Sequence, residues 1–214
     1  MEIFISVDGV LRNTIQKFDY HYKDAFLDSE LEDNTFEYNI TEPIENDNLL
    51  NSYKFQSQEE FENFLFIEYP IEIFGHAGLS YSTTFTDLNK LIYENQQHNF
   101  TIIGLNELGK SKPATLFFLS KNGFLGNNIK FSVTENLSDL WNQCDIWLTD
   151  SKQVIQSCPE NKTVVKFQTT YNQHFTCEKE ITKLTEIQQL WLNSTEGPTT
   201  LTLMESQKDV EQDK

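Results

Sequence analysis

A series of short apolar runs, spaced by stretches long enough for a helix, constrains this chain more than any other feature. The runs lie at 2–7, 99–105, 115–120, 128–133, 145–149 and 163–167. Each has the length of a strand. Between them, Phe85, Leu88, Leu91 and Ile92 recur at i, i+3, i+6 and i+7, which places them on one stripe of a helix over 79–97. Shorter helices are expected at 137–143 and at 152–157, the second capped by Ser151 and closed by Pro159. Ile181, Leu184, Ile187, Leu190 and Trp191 form the stripe of a C-terminal helix. Strands alternating with helices point to an α/β domain with a mostly parallel sheet and right-handed crossovers.

The 214 residues suffice for one domain with an insertion. Hydrophobic content of 38% and 17 Phe are enough for a real core. A formal charge of −17 repels phosphate backbones and anionic lipid, so nucleic acid and membrane surfaces are excluded as partners. Cys144, Cys158 and Cys177 have neither disulfide-framework nor zinc spacing, which fits a reducing compartment. No signal peptide and no apolar run of membrane-spanning length is read, so a cytoplasmic location is expected. Segment 12–60 is polar and acidic. It reads as an irregular insertion with short helices near 14–26 and 57–67, the second presenting Phe61, Phe64 and Leu65 on one face and bounded by Pro70. Trp141, Trp147 and Trp191 read as core or interface anchors.

Candidate site residues come from the ends of the runs, because ligands of open α/β sheets bind at the carboxyl ends of the strands. Ile3-Phe4-Ile5-Ser6-Val7 runs into Asp8-Gly9-Val10-Leu11; Ser120 follows Phe117-Phe118-Leu119; Asp150-Ser151 follows Asp145-Ile146-Trp147-Leu148-Thr149. In this order the motifs resemble those of the haloacid dehalogenase-like (HAD-like) hydrolases, and of their 5′-deoxyribonucleotidase branch in particular. Val164 to Asn172 resembles that branch's next element, a strand ending near an Asn. The resemblance implies a parallel core from 1–11 and 97–200, an insertion in the cap position at 12–96, and a charged tail at 201–214. It also implies that Ser6 stands where the family has its nucleophilic, Mg²⁺-binding Asp. Ser120 would hold a phosphate oxygen, and Asp150 would be the remaining Mg²⁺ ligand.

Three family features are missing. Ser6 is neutral, no Lys occurs between Phe131 and Asp150 to serve as the third-motif cation, and Ser151 replaces the second fourth-motif acid. Phosphoryl transfer works by positioning and by balancing charge with metal and cations, so these losses point to a vestigial site. The expectation is an inactive HAD-like protein without a cofactor, serving as a structural or interaction subunit. The abundance of Asn, Phe, Ile, Tyr and Lys, which favour A/T-rich codons, suggests a phage-particle component whose partners are other protein subunits. The alternatives are a Mg²⁺-dependent nucleotide phosphatase with Asp150 as metal ligand, and a sensor that binds a phosphate through Ser6 and Ser120 without turning it over. His76, His174 and Asp150 are the nearest metal-ligand set, and the histidines are read as structural.

Overall fold

The computed structural model describes residues 1–26, 53 and 55–188. Strand β1 (Glu2–Ser6) leads through a tight turn to β2 (Arg12–Asn13), helix α1 (Ile15–Phe26) and helix α2 (Gln58–Asn63). Two π-helical turns, Phe64–Glu68 and Ile71–Gly75, carry the chain to β3 (Gly78–Leu79) and helix α3 (Thr84–Glu94). The remainder alternates regularly: β4 (Asn99–Leu105), α4 (Ser111–Lys121), β5 (Ile129–Ser132), α5 (Leu137–Trp141), β6 (Ile146–Thr149), α6 (Lys152–Gln156), β7 (Thr163–Phe167) and β8 (Glu180–Ile181).

The six main strands form one parallel sheet in the order β5-β4-β1-β6-β7-β8. The expected α/β class holds. Strand β1 lies at the centre, with Ile3 opposite Phe100 on one side and Ile146 on the other. Its side chains alternate between two buried layers, as a strand covered on both faces requires. Ile3 and Ile5 join the layer beneath α3, with Phe85, Leu88 and Leu91. Phe4 joins the opposite layer, with Leu140, Trp141, Trp147 and Val154. The expected stripe on 79–97 is therefore real, although the helix starts only at Thr84 because Gly78–Leu79 is used as a strand. Trp141 and Trp147 are core anchors, as read; Leu190, Trp191 and the tail lie outside the described residues.

Two elements differ from the sequence reading. The run 115–120 is not a strand but part of α4. Ala114, Thr115, Phe118 and Leu119 are buried while Leu116, Phe117 and Ser120 face out, a helical spacing. Pro113 sits in the first turn, where its missing N–H breaks no helical bond. Ile181 lies not on a C-terminal helix but in β8, paired with Phe167, and only a short turn over Leu184–Glu186 follows it.

Between β2 and β3, which pair antiparallel as a two-stranded stem, the described chain builds a helical unit over the sheet edge. Its interior is aromatic: Phe18, Tyr22, Tyr53 and Phe64 are buried together, with Phe55 and Phe61 packed against them. Phe18 meets Tyr53, Phe64 and Phe61 edge-on at centroid distances of 4.4, 5.6 and 6.2 Å, geometries favoured by the ring quadrupole. Ser57 caps α2 by accepting the Glu60 N–H at 3.1 Å. Pro70 separates the two wide turns, each closed by an i→i+5 bond, Tyr69 N–H to Phe64 O at 3.0 Å and His76 N–H to Ile71 O at 2.8 Å.

Candidate functional site

Strands β1 and β6 are neighbours whose connections leave in opposite directions, and ligands of such sheets bind at this reversal. A cleft of about 580 Å³ opens there between the sheet edge and the helical unit. Ser6, Asp8, Asn106, Glu107, Thr134, Thr149 and Asp150 line it from the ends of β1, β4, β5 and β6. Phe18, Phe61, Glu62, Leu65 and Phe66 line it from above. Ser6, Asp8 and Asp150 thus converge as expected. Ser120 does not: it is exposed near the end of α4, because the run before it is helical. The place expected for it, after the strand next to β1, belongs to Asn106. That residue holds the left-handed φ of 55°, which Asn tolerates, and its Oδ1 accepts the Thr134 N–H at 2.9 Å.

Ser6 ends the central strand and is buried. Its hydroxyl donates to Thr149 Oγ1 at 3.0 Å and accepts the Trp147 indole N–H at 3.1 Å. Thr149 Oγ1 also accepts the Ser151 N–H at 3.1 Å. The hydroxyl in the nucleophile position is therefore held by neutral partners. Neither is a base that could activate it.

The turn after β1 is set by Gly9. Its φ of +71° is left-handed, and a Cβ there would stand 2.0 Å from Asp150 Cγ, so only glycine fits. Leu11 and Arg12 N–H groups both return to Val7 O, at 2.9 and 3.1 Å. The turn brings Arg12 onto Asp8 as a forked pair, Nε to Oδ1 at 2.8 Å and NH2 to Oδ2 at 3.0 Å. Arg12 is fully buried and is the chain's single arginine. NH2 also donates to Glu107 Oε1 at 2.6 Å, and NH1 donates to Thr115 Oγ1. The guanidinium lies 4.8 Å from the Phe74 ring centroid and 5.9 Å from that of Phe118. Burial opposes its charge, but Asp8 and Glu107 outweigh burial and raise its pKa. Burial likewise pushes the Glu107 carboxyl up, with Arg12 pulling the other way.

Asp150 is fixed on the far side of Gly9. Tyr171 donates its hydroxyl to Asp150 Oδ2 at 2.6 Å, and burial, then the Asp150 charge, raises the Tyr171 pKa. Asn172 donates to the Asp150 and Phe167 carbonyls at 3.2 and 2.9 Å, so the expected strand-then-Asn element is a clamp on this loop. Ser151 is the N-cap of α6. The histidines do not join Asp150: His76 Nδ1 lies 3.2 Å from Lys121 Nζ, and His174 rests against Phe175. Among the described residues no cluster of three or more acidic, His or Cys side chains is arranged to hold a metal. Mg²⁺ does not fit here, since Ser6 is neutral, both Asp8 oxygens face Arg12 and Asp150 accepts from Tyr171. No Lys, Arg or His is among the residues lining the cleft.

No family description matches the sequence, and no curated protein does. Solved structures do. A protein of Burkholderia xenovorans LB400 described as a haloacid dehalogenase-like hydrolase superposes with a TM-score of 0.54 at 10% identity, over 90% of this chain and 96% of its own. One of Bacteroides fragilis, described in the same words, gives 0.54 at 13% identity over 87% and 98%. The chain has the HAD-like fold. At such identities the likeness carries the architecture alone, and the chemistry is read from the side chains. Sequence reasoning placed three edge residues of this HAD-like core and missed Arg12, Glu107 and Tyr171. The one available signal was a lone arginine four residues after Asp8.

The Arg12 pair gives a direct test. Arg12→Met leaves two acids near one buried position without their cation and is expected to cost about 3–5 kcal/mol in urea unfolding. Lys23→Met, which removes a surface pair with Asp19, is expected to cost under about 1 kcal/mol. Equal costs would contradict the role given to Arg12.

Proposed function

We propose that the protein is a non-hydrolytic protein of the HAD-like fold that acts by binding. The observation that carries this reading is the Ser6 hydroxyl, which is held between Trp147 and Thr149 with no base in its hydrogen bonds. Two further features support it. Asp8, the other acid of the first motif, is engaged by Arg12, and the cleft lacks a lining cation that could neutralise a transferring phosphoryl group. The cleft itself has the size of small-molecule sites, and its mix of aromatic wall and few polar groups is that of a binding site. Among the described residues no helix is long and apolar enough to cross a membrane.

Phosphate release from nucleoside monophosphates, with and without Mg²⁺, tests the reading. No release above background is expected from the wild type. None is expected from Ser6→Asp either, because Arg12 still engages Asp8 and the cleft still lacks a lysine. Mg²⁺-dependent release by the wild type that disappears in Asp150→Ala would make the protein a phosphatase.

A second reading, a protein-binding subunit such as a phage-particle component, is favoured by one surface. Ile67, Ile71 and Phe117 are 47%, 41% and 42% exposed. Ile71 and Phe117 meet over Gly75, where a Cβ would stand 3.2 and 3.1 Å from them. Adjacent exposed apolar side chains of this size mark interaction sites. Sedimentation velocity is expected to show concentration-dependent association that Phe117→Ser removes. A monomer at every concentration would speak against a self-assembling subunit.

A further inference from the structure

The cleft is acidic in a way that a phosphate site is not. Asp8, Glu107 and Asp150 line it from the sheet edge, Glu62 from the helical unit and Glu135 from the loop after β5, with no basic residue among its lining side chains. An acidic lining alone does not make a site. The second observation is a single oxygen atom. Glu107 is 3% exposed. Its Oε1 accepts Arg12 NH2 and the Thr115 hydroxyl, each at 2.6 Å, while its Oε2 is buried and no donor among the described residues reaches it. The nearby Ser111 hydroxyl donates instead to the Leu108 carbonyl at 2.7 Å. Buried carboxylate oxygens are ordinarily hydrogen-bonded. Arg12 is shared between Asp8 and Glu107, so the three together keep a net negative charge at the cleft floor.

Across from this floor the wall is apolar, with Phe61, Leu65 and Phe66 facing the cleft and Phe66 stacked on Phe74 at 5.8 Å. A ligand matching both surfaces has a cationic donor at one end and an apolar body at the other. An anionic ligand meets like charge on the floor and on both sides. A bare metal ion meets no cluster of ligands.

We infer that the cleft binds a primary amine with an aryl or alkyl body, its ammonium donating to Glu107 Oε2 and its body lying against Phe61 and Phe66. The inference rests on the non-hydrolytic binding reading and gives that site its ligand class. An ammonium supplies three donors, of which Oε2 takes one and Asp8 or Glu62 is placed to take another. Aromatic rings beside a cation add to the attraction.

Calorimetry and thermal shift on the full chain test it with 2-phenylethylamine, tryptamine and hexylamine as probes. Phenylacetate serves as the anion of similar shape, and inorganic phosphate and MgCl₂ as the competing ligand classes. The amines are expected to bind and to raise Tm with concentration, and phenylacetate and phosphate are not. Glu107→Gln is expected to weaken amine binding roughly ten- to a hundredfold. Because that variant touches the Arg12 pair, Glu62→Gln, which lies outside it, is measured too, and about a two- to fivefold loss is expected. No binding of any amine at millimolar concentration, equal binding of phenylacetate, or full affinity in both variants would overturn the inference. Phosphate or Mg²⁺ binding in place of the amines would also overturn it, yet leave a non-hydrolytic binding protein. Phosphate release from an ester would overturn that underlying reading, whatever the amines do.

Discussion

The buried guanidinium of Arg12 is the interaction on which the sheet edge depends. It ties together the turn after β1 through Asp8, the loop after β4 through Glu107, helix α4 through Thr115, and the helical unit through the face of Phe74. Burying a cation carries a large desolvation cost, which is offset only when its donors are matched and its charge is opposed. Both conditions are met, since forked bonds to Asp8 and a short bond to Glu107 surround it. A lysine could not do this, because an ammonium lacks the planar fork that fits Asp8 while still reaching Glu107 and Thr115.

That arrangement also decides what the site can do. In a phosphoryl-transfer site carboxylates hold metal and metal holds phosphate, so the acids must face the cleft unpaired. Here Asp8 faces a guanidinium, Asp150 faces the Tyr171 hydroxyl, and Ser6 is closed off by Trp147 and Thr149. The cleft above these groups persists because its walls come from the sheet edge and from an aromatic cluster with its own core around Phe18 and Phe64. Chemistry and cavity are thus separable. The polar groups at the floor are tied to one another, while the wall that would hold a ligand's apolar body is independent of them.

Much of the fold was legible because buried parallel strands write themselves as short apolar runs. β1, β4, β5, β6 and β7 all stand where the runs do, and so Ser6, Asp8 and Asp150 were placed at the edge correctly. The run at 115–120 misled for a specific reason: Leu116 and Phe117 are apolar yet exposed, which filled in the polar positions that would have shown a helical period. Ser120 was assigned to the cleft on that error. The Arg12–Glu107 pair was illegible for a different reason, since it joins residues 95 apart and depends on the left-handed turn at Gly9. Trp147 was recognised as a core anchor, but its indole N–H bond to Ser6 follows only from the register that sets Ile5 beside Leu148.

A single arginine makes the central claim directly measurable. In protein labelled with ¹⁵N-arginine, one Nε–H resonance reports Arg12 alone. A slowly exchanging resonance at neutral pH, unmoved by Mg²⁺, is the result expected of a buried guanidinium committed to Asp8 and Glu107. Rapid exchange with solvent, or a shift on adding Mg²⁺ as Asp8 is drawn to the metal, would contradict the account.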